Sequence, residues 1–558
     1  MKKQGFVLGS VILAASAVIV KLIGAFFRIP LAALLGGTGM GYFSCAYGIF
    51  LPVYAVAVTG IPAAAARAAA EDIAVNGGNG IRRIKLCGML IFGGAGLMGT
   101  LVIAFGAYPF CKYAIGNMPA LPAVIMIAPT VMFGCPAAIL RGCYEGMNNM
   151  LPTALSQLAE ALVKLAAGLG GAYYVMHTYY NSPERFMRML HIQLPSDSTA
   201  AGEIAVSYAA AAACGAISLS VLAGLAALII YDRAAVRGIV RKERTVGGKP
   251  FSRIASELAA VAVPASMCAL VTNITSMIDL ATIMRSLEKA AEKAPEYFGM
   301  AEDTANFYYG SFAGLALTVF NLVPSVTNMF GKAMLPRASA AYAAGDSEKL
   351  SECSLGLIKT VTYLAVPCGI GISVLAAPVL NALFSGSPRE AAAAARPLSA
   401  MGSGIIFLCI ASASFPLFQA AGRQDIPVKL MAAAAAVKAA GNLIMVPVPQ
   451  LNITGAAIAT DLSYGAVVVP SVLMLRKCCG LDVSGYMRFA AGSAVCGLLC
   501  GGTAWLVYSG TAHMGALASV IISSLAGGAV YIISTYFSGI IDKSTLKMLI
   551  SQKNPKNT

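Results

Sequence analysis

The chain has 558 residues, of which 58% are hydrophobic and only 11% are charged, and its mean hydropathy is +0.76. Soluble domains carry about 25% charged residues, so this composition excludes a water-soluble globule and predicts a protein that crosses a membrane many times. The formal net charge is +15, but the basic residues form short clusters between long apolar segments. That pattern is typical of cytoplasmic membrane loops and argues against nucleic-acid binding.

Apolar segments of about 20 residues, each long enough to cross a bilayer as a helix, follow one another along the whole chain. Fourteen are predicted, at 6–34, 42–66, 86–108, 121–141, 152–176, 206–231, 253–283, 308–334, 357–384, 397–421, 427–447, 453–475, 487–509 and 514–537. An even number of spans places both termini on one side of the membrane. Most of the 39 Lys and Arg residues then fall on that side, which predicts that both termini are cytoplasmic.

An internal repeat relates the fifth and eleventh predicted spans. Each copy has a glycine, a proline five or six residues later, and a lysine near the middle of the span; these are Gly146, Pro152 and Lys164, and Gly422, Pro427 and Lys438. Copies that lie six spans apart form a parallel repeat, which is typical of transporters with a cavity between two lobes. The predicted fold is therefore an all-α polytopic membrane protein with two pseudo-symmetric six-helix lobes around a central cavity, plus two C-terminal helices.

The domain boundaries follow from these spans. The predicted N-terminal lobe covers 1–235, a basic cytoplasmic linker covers 236–252, the C-terminal lobe covers 253–480, and the last two spans with a cytoplasmic tail cover 481–558. The 14 cysteines are scattered singly, apart from one adjacent pair, and are interpreted as small buried apolar residues. No metal-ligand spacing, Walker-type loop or nucleophile motif occurs in a plausible context, so the sequence predicts neither an enzyme nor a metal site.

Four basic residues, Lys21, Arg28, Lys164 and Lys438, lie inside predicted spans. An ionised group at mid-bilayer costs roughly 3 kcal/mol, so each requires a partner or water. Lys21 and Arg28 are two helical turns apart and share a face, which is interpreted as a cationic stripe facing the cavity. The alternative is that Arg28 reaches the outer headgroups while Lys21 pairs with an acid.

Two acids accompany the lysines of the repeat. Glu160 and Lys164 are four residues apart in the favourable order, so they either neutralise each other or line the cavity. Lys438 and Asp461 lie at similar depths on successive spans, which predicts an ion pair between them. Asp279 either joins that pair or pairs with Arg285 near the outer end of the seventh span.

Arg67 follows an alanine-rich helix end. We interpret it as facing the inner mouth of the cavity, with simple cytoplasmic anchoring as the alternative.

Three stretches resemble a known transporter family. RGCYEGMNNMLPTALSQLAEALVK, LVPSVTNMFGKAMLPRASAAYAAGD and SASFPLFQAAGRQDIPVKLMAAAAAVKAAGNLIMVPVPQLNITGAAIATDLSY are similar to the polysaccharide-transport branch of the multidrug/oligosaccharidyl-lipid/polysaccharide exporter superfamily. Within that branch the likeness is closest to stage V sporulation protein B-like proteins and related lipid II flippases. It covers about residues 5–480 and is specific for the branch more than for the substrate.

The resemblance implies a function. Fourteen helices in two lobes would move an undecaprenyl-diphosphate-linked peptidoglycan precursor, or a related lipid-linked oligosaccharide, from the inner to the outer leaflet by alternating access. The predicted substrate-binding residues are Lys21, Arg28, Arg67, Glu160 and Lys164. Of these, Lys21 and Arg28 match the paired first-span bases of the family, and Arg67 takes the place of a base in its sporulation-type members. It places the chain in the bacterial cytoplasmic membrane with cell-wall and sporulation functions.

The same resemblance implies an ion-coupling site in the second lobe, with Asp279, Asn442 and Asp461 as candidates. Lys438 completes the predicted charge cluster with them. A fixed ammonium at Lys438 competes with sodium for this cluster. The energy source is left open among sodium, protons and the membrane potential. No cofactor is expected. The expected partners are the lipid-linked saccharide, membrane lipids and cell-wall synthesis proteins, and the expected functional unit is a monomer.

Two alternative functions remain open at this stage. An ion-coupled drug antiporter of the same superfamily would favour an acidic cavity in the first lobe. A non-transporting component of a cell-wall or sporulation complex would tolerate the loss of the cavity charges.

Overall fold

The computed structural model describes residues 6–76, 80–191, 195, 197–237, 250–298 and 304–540. All regular structure in these ranges is helical, and no strand occurs among them. The predicted basic linker falls largely outside the described residues, as does the tail after residue 540. The all-α fold class is thereby confirmed.

The chain divides into two compact units, Met1–Arg285 and Ser286–Thr558. The helices that begin in the first unit are α1 (Phe6–Val58), α2 (Ile61–Asn76), α3 (Ile81–Pro109), α4 (Leu121–Ile127), α5 (Pro129–Gly146), α6 (Leu151–Asn181), α7 (Pro183–Leu190), α8 (Ser198–Arg237) and α9 (Phe251–Lys293). A π-helical turn, Phe110–Ala114, follows α3, and a short 3-10 helix, Met118–Ala120, precedes α4. The last turns of α9 belong to the second unit.

The second unit continues with α10 (Thr304–Gly310), α11 (Leu317–Phe320), α12 (Leu322–Ala343), α13 (Ser347–Val374), α14 (Ala376–Leu383), α15 (Pro388–Ala400), α16 (Gly402–Ala420), α17 (Asp425–Met445), α18 (Ile453–Cys479), α19 (Val483–Thr511) and α20 (Ala516–Phe537). A π-helical segment, Ser311–Ala316, joins α10 to α11. Both units are therefore built from long helices joined by short turns, as the sequence predicts. The predicted domain boundaries stay a prediction.

Ten helical segments among the described residues are long and apolar enough to cross a bilayer, and a bent pair, Thr304–Phe320 with Leu322–Ala343, would make eleven. The first of the ten, Ser16–Val75, contains the first two predicted spans. The fifth and seventh predicted spans lie on α6 and α9, which are long helices outside the ten. The multi-pass character is thus confirmed, whereas the count of fourteen spans stays a prediction.

The break in α1 lies at Gly36, and the helical geometry continues through Pro30 and Pro52. Gly36 has φ 63° and ψ −174°, a conformation that is open almost only to glycine. The predicted spans 6–34 and 42–66 left residues 35–41 between them. The structure instead keeps helical geometry on both sides of a single non-helical residue, Gly36.

The repeated glycine and proline mark equivalent turns in the two units. Gly146 ends α5 and Pro152 starts α6, while Gly422, with φ 70°, precedes α17 and Pro427 lies in its first turn. In each unit the helix that follows the turn packs along a partner, α6 on α8 and α17 on α18. This confirms that the repeat marks the start of a helix in both copies.

Small residues bring neighbouring helices into close contact in both units. A Cβ at Gly146 would overlap the backbone of Ala66 on α2, and one at Gly369 on α13 would lie 2.6 Å from the carbonyl oxygen of Gly402. Such contacts are typical of helices that associate in a bilayer, where apolar burial does not drive packing. Most of the described cysteines are buried as well, as the sequence predicted.

Candidate functional site

A clamp of three side chains joins α5 and α6 in the first unit. Nη2 of Arg141 lies 2.5 Å from Oε1 of Glu160 and 2.6 Å from Oγ of Ser156. The Ser156 hydroxyl donates to the carbonyl oxygen of Gly224 on α8 at 3.0 Å, so its oxygen accepts from the guanidinium. The Arg141 and Glu160 side chains are 15% and 21% exposed, which places the ion pair inside the unit.

Lys164 lies one turn further along α6 and contacts α1. Its Nζ is 3.4 Å from the hydroxyl of Tyr47 and 5.0 Å from the centre of the Phe27 ring. Both partners are neutral, and the ring face attracts a cation through its quadrupole. Glu160, the predicted partner of Lys164, forms its ion pair with Arg141. The ion pair of Glu160 is thus with Arg141, and the position of Lys164 on the cavity wall stays a prediction.

Lys21 and Arg28 lie on α1, the helix that Lys164 contacts. Lys21 is exposed and Arg28 is half-buried. Arg28 is the next residue after Phe27, whose ring centre lies 5.0 Å from the Lys164 ammonium. Because α1 packs along α6, these three basic residues occupy two adjoining helices of one unit. The structure thus brings the predicted first-lobe bases onto neighbouring elements, while their contact with substrate stays a prediction.

Arg67 lies on α2 at a polar cavity of about 300 Å³. Its Nε is 2.9 Å from Oε1 of Glu71, and the arginine side chain is 68% exposed. Glu257, from the first turns of α9, lines the same cavity. The position of Arg67 at the inner mouth of the substrate cavity stays a prediction, but the structure does place this arginine in a recess lined by charged side chains.

In the second unit, Asp461 on α18 reaches the first turn of α16. One carboxylate oxygen accepts a hydrogen bond from the hydroxyl of Ser403, and the other lies against Gly404, where a Cβ would overlap it. Asp461 is 9% exposed and lines a cavity of about 440 Å³. A helix N-terminus carries partial positive charge and unpaired N–H groups, so this position favours a carboxylate.

The other three residues of the predicted charge cluster are distributed between the units. Asp279 is half-buried on α9 in the first unit, whereas Lys438 and Asn442 lie on α17 in the second. Lys438 is half-buried and Asn442 is fully buried. The ion-coupling role and the Lys438–Asp461 pair stay predictions.

Comparisons with known proteins bear on the family of the chain. The model of the family "Lipid II flippase MurJ" matches residues 204–526, which is more than half of the chain. The chain belongs to the MurJ family. This family consists of lipid flippases, so its members are transporters and not enzymes. The resemblance stated from the sequence is thereby confirmed.

Relatives of this MurJ family member align over nearly the full length. It is 21% identical to "Lipid II flippase MurJ" of Bacillus subtilis (strain 168), over 96% of each chain. It is 22% identical to "Stage V sporulation protein B" of the same organism, over 98% of each chain.

Two solved structures support the fold. A lipid II flippase MurJ in an inward closed conformation superposes with a TM-score of 0.59 at 14% identity, covering 95% of this chain and 99% of that one. An inward-facing multidrug transporter of the MATE family gives a TM-score of 0.54 at 15% identity, covering 84% of this chain and 99% of the other. At these identities the likeness concerns the fold alone.

The sequence did not indicate several polar residues that the structure places inside this MurJ family member. Arg141 is the last residue of the predicted span 121–141, and neither it nor Ser403 or Gly404 was singled out. Lys85 on α3 forms an ion pair with Asp232 on α8, and the hydroxyl of Tyr144 on α5 donates to the same carboxylate at 2.6 Å. Each of these contacts joins residues far apart in sequence, so no spacing rule reports them. The only signal was their presence at the ends of apolar segments.

Proposed function

We propose that this MurJ family member moves an undecaprenyl-diphosphate-linked peptidoglycan precursor, lipid II or a close relative, from the inner to the outer leaflet of the bacterial cytoplasmic membrane. Family membership supports a lipid-linked substrate, and the full-length relatives include a protein named as a lipid II flippase. Alternating access of the substrate site is part of the proposal. So are cytoplasmic termini and function as a monomer beside the cell-wall synthesis machinery.

The observation that carries the proposal is the group of basic residues on two packed helices, α1 and α6. Lys21, Arg28 and Lys164 all lie in apolar segments, where an ionised side chain is costly in free energy unless water or a partner solvates it. A diphosphate bears about two negative charges and does not enter hydrocarbon unaided. Bases in a wet cleft replace part of its hydration through charge-assisted hydrogen bonds, while the prenyl chain stays in lipid.

Arg67 and the second-unit acids take supporting roles in this proposal. The exposed guanidinium of Arg67 is suited to a first encounter with the diphosphate at the inner mouth. Asp279, Lys438, Asn442 and Asp461 are the candidates for coupling the return step to an ion. The membrane potential is an alternative drive, since moving one charge through 100 mV is worth about 2.3 kcal/mol.

The test is complementation of a flippase-depleted bacterium, with lipid II exposure on the outer leaflet as the readout. We expect Lys21→Ala and Arg28→Ala each to lower exposure about tenfold, which is the factor that one charge-assisted hydrogen bond contributes. Arg188→Ala removes an arginine whose side chain is 80% exposed on α7 and serves as the matched control, with full activity expected. Full activity of both first-helix variants, at normal abundance, would remove the cationic site from the proposal.

A further inference from the structure

The clamp of Arg141, Ser156 and Glu160 bears on the net charge beside Lys164 in the first unit. Glu160 precedes Lys164 by four residues on α6, the arrangement in which a carboxylate and an ammonium attract each other on a helix. A Lys164 held by Glu160 would present no net charge to an anion. The guanidinium of Arg141, 2.5 Å from Glu160, supplies the carboxylate with a different counter-ion.

The surroundings hold that pairing in place. The Ser156 hydroxyl donates its hydrogen bond to the carbonyl oxygen of Gly224, so its oxygen is an acceptor for Arg141. That oxygen lies 2.6 Å from Nη2 and 3.3 Å from Nε of the guanidinium. A Cβ at Gly224 would lie 2.5 Å from Oε1 and from Cγ of Glu160, so α8 closes the space beside the carboxylate. Three helices therefore fix Glu160 toward Arg141.

Lys164 makes its hydrogen bond and its ring contact with neutral groups, and it also interacts electrostatically with the Glu160 carboxylate. Its ammonium contacts the Tyr47 hydroxyl and the face of the Phe27 ring, which orient a cation without cancelling its charge. Arg141, Glu160 and Lys164 together carry one net positive charge, and the geometry places it at Lys164. That end of the group lies against α1, which carries Lys21 and Arg28.

We propose that Arg141 is a positioning residue for transport: it neutralises Glu160 and thereby keeps the charge of Lys164 for the anionic diphosphate of the substrate. This inference rests on the proposed function above. Arg141 acts through Glu160 in it, and only Lys164 touches the substrate. Without Arg141, the Glu160 carboxylate becomes the counter-ion of Lys164 and competes with the diphosphate.

The experiment is a double-mutant cycle in the same complementation assay, with the membrane abundance of each full-length variant measured by immunoblot. We expect Lys164→Ala and Arg141→Ala each to lower lipid II exposure about tenfold, and Glu160→Gln is the second single variant that the cycle requires. The double variant Arg141→Ala with Glu160→Gln restores exposure, because it removes the competing carboxylate together with its counter-ion. Arg141→Lys keeps the compensating charge and retains most of the activity.

The outcomes separate the possible failures. A double variant no more active than Arg141→Ala at equal abundance, or an Arg141→Lys variant as inactive as Arg141→Ala, overturns the positioning role. If Lys21→Ala, Arg28→Ala and Lys164→Ala are all fully active, the cationic site itself fails. If Lys164→Ala is inactive but the double variant is not restored, only the inference about Arg141 fails. The exposed pair Arg188 and Glu184 provides the control, since Arg188→Ala with Glu184→Gln is expected to change nothing.

The cycle also needs a measurement that a folding defect alone would not change. Binding of undecaprenyl diphosphate to the purified full chain in lipid nanodiscs serves this purpose. We expect Arg141→Ala to weaken binding about tenfold and the double variant to recover it. Unchanged binding in Arg141→Ala contradicts the proposal, because the competing carboxylate would then have no effect on the diphosphate.

Discussion

Two acids inside the units each lie against a glycine of a neighbouring helix. Glu160 faces Gly224 on α8, and Asp461 faces Gly404 in the first turn of α16. Both glycines are helical, so space and not backbone freedom explains the residue type. The missing side chain lets a carboxylate approach the neighbouring helix closely, and in each case the acid also binds a polar partner, Arg141 or Ser403. Glycine is thus part of how these acids are held.

The residue scale gives a direct prediction about these two glycines. Gly224→Ala and Gly404→Ala are expected to destabilise the protein by about 1–3 kcal/mol each, because the added methyl overlaps a carboxylate that other bonds hold in place. The measurement is thermal unfolding of the purified chain in one detergent. Gly502→Ala is the control, since a Cβ there meets nothing within 4 Å. It is expected to be neutral or to stabilise α19 by about 0.5–1 kcal/mol. Equal unfolding temperatures for all three variants would contradict the steric explanation.

At the scale of elements, α13 shows how a helix start is fixed outside the predicted spans. Asp346 is its N-cap, and the carboxylate accepts from the backbone N–H of Lys349 at 3.0 Å. The ammonium of Lys349 lies 2.8 Å from the other carboxylate oxygen. These hydrogen bonds from Lys349 lower the pKa of Asp346 below its ordinary value of 3.8. The charged form is therefore the one that stabilises the helix start.

The sign of the pH dependence follows from that lowered pKa. The contribution of Asp346 is fully present above pH 3.8 and is lost as the pH falls through the lower pKa of the folded state. Asp346→Ala should therefore speed amide hydrogen exchange in the first turns of α13 at pH 7. The difference from the parent should shrink as the pH falls below about 4. Asp346→Asn keeps an acceptor for the Lys349 amide and should fall between the two. A difference that persists undiminished at the lowest pH would show that the charge is not involved.

The elements also show what the sequence could and could not predict. Proline and glycine placed the start of α6 and α17 correctly, because those residues act locally on the backbone. The polar face of α6 was likewise visible as a spacing of three and four residues. The partner of Glu160 was not, because Arg141 reaches it across a helix contact that depends on Ser156 and on the space at Gly224. Ser403 and Asp461 meet for the same reason, through the packing of α16 against α18.

At the scale of the whole molecule, composition already determined the class of protein. With 11% charged residues and large apolar side chains such as Phe105 and Phe537 about 80% exposed on helix surfaces, the chain requires a lipid environment. The number of spans was harder to predict, because α6 and α9 carry polar residues that reduce their apolar character and α1 breaks at a single glycine. The basic residues between the spans indicate how the chain is oriented in the membrane.

The proposed orientation gives the last prediction. Cytoplasmic loops retain Lys and Arg because positive charge near a span end resists translocation, and in the predicted topology most of the chain's 39 basic residues fall on the side of the termini. An epitope tag inserted at Gly345, between α12 and α13, should therefore be hidden from antibody in intact protoplasts and become accessible after permeabilisation. A tag placed after His191, at the end of α7, should be accessible in intact protoplasts. Each tagged full-length chain must still complement the depleted strain, which confirms that the insertion has not altered the topology. The opposite labelling pattern would place both termini outside the cytoplasm. Arg67 would then lie at the outer mouth of the substrate path and not at the inner one.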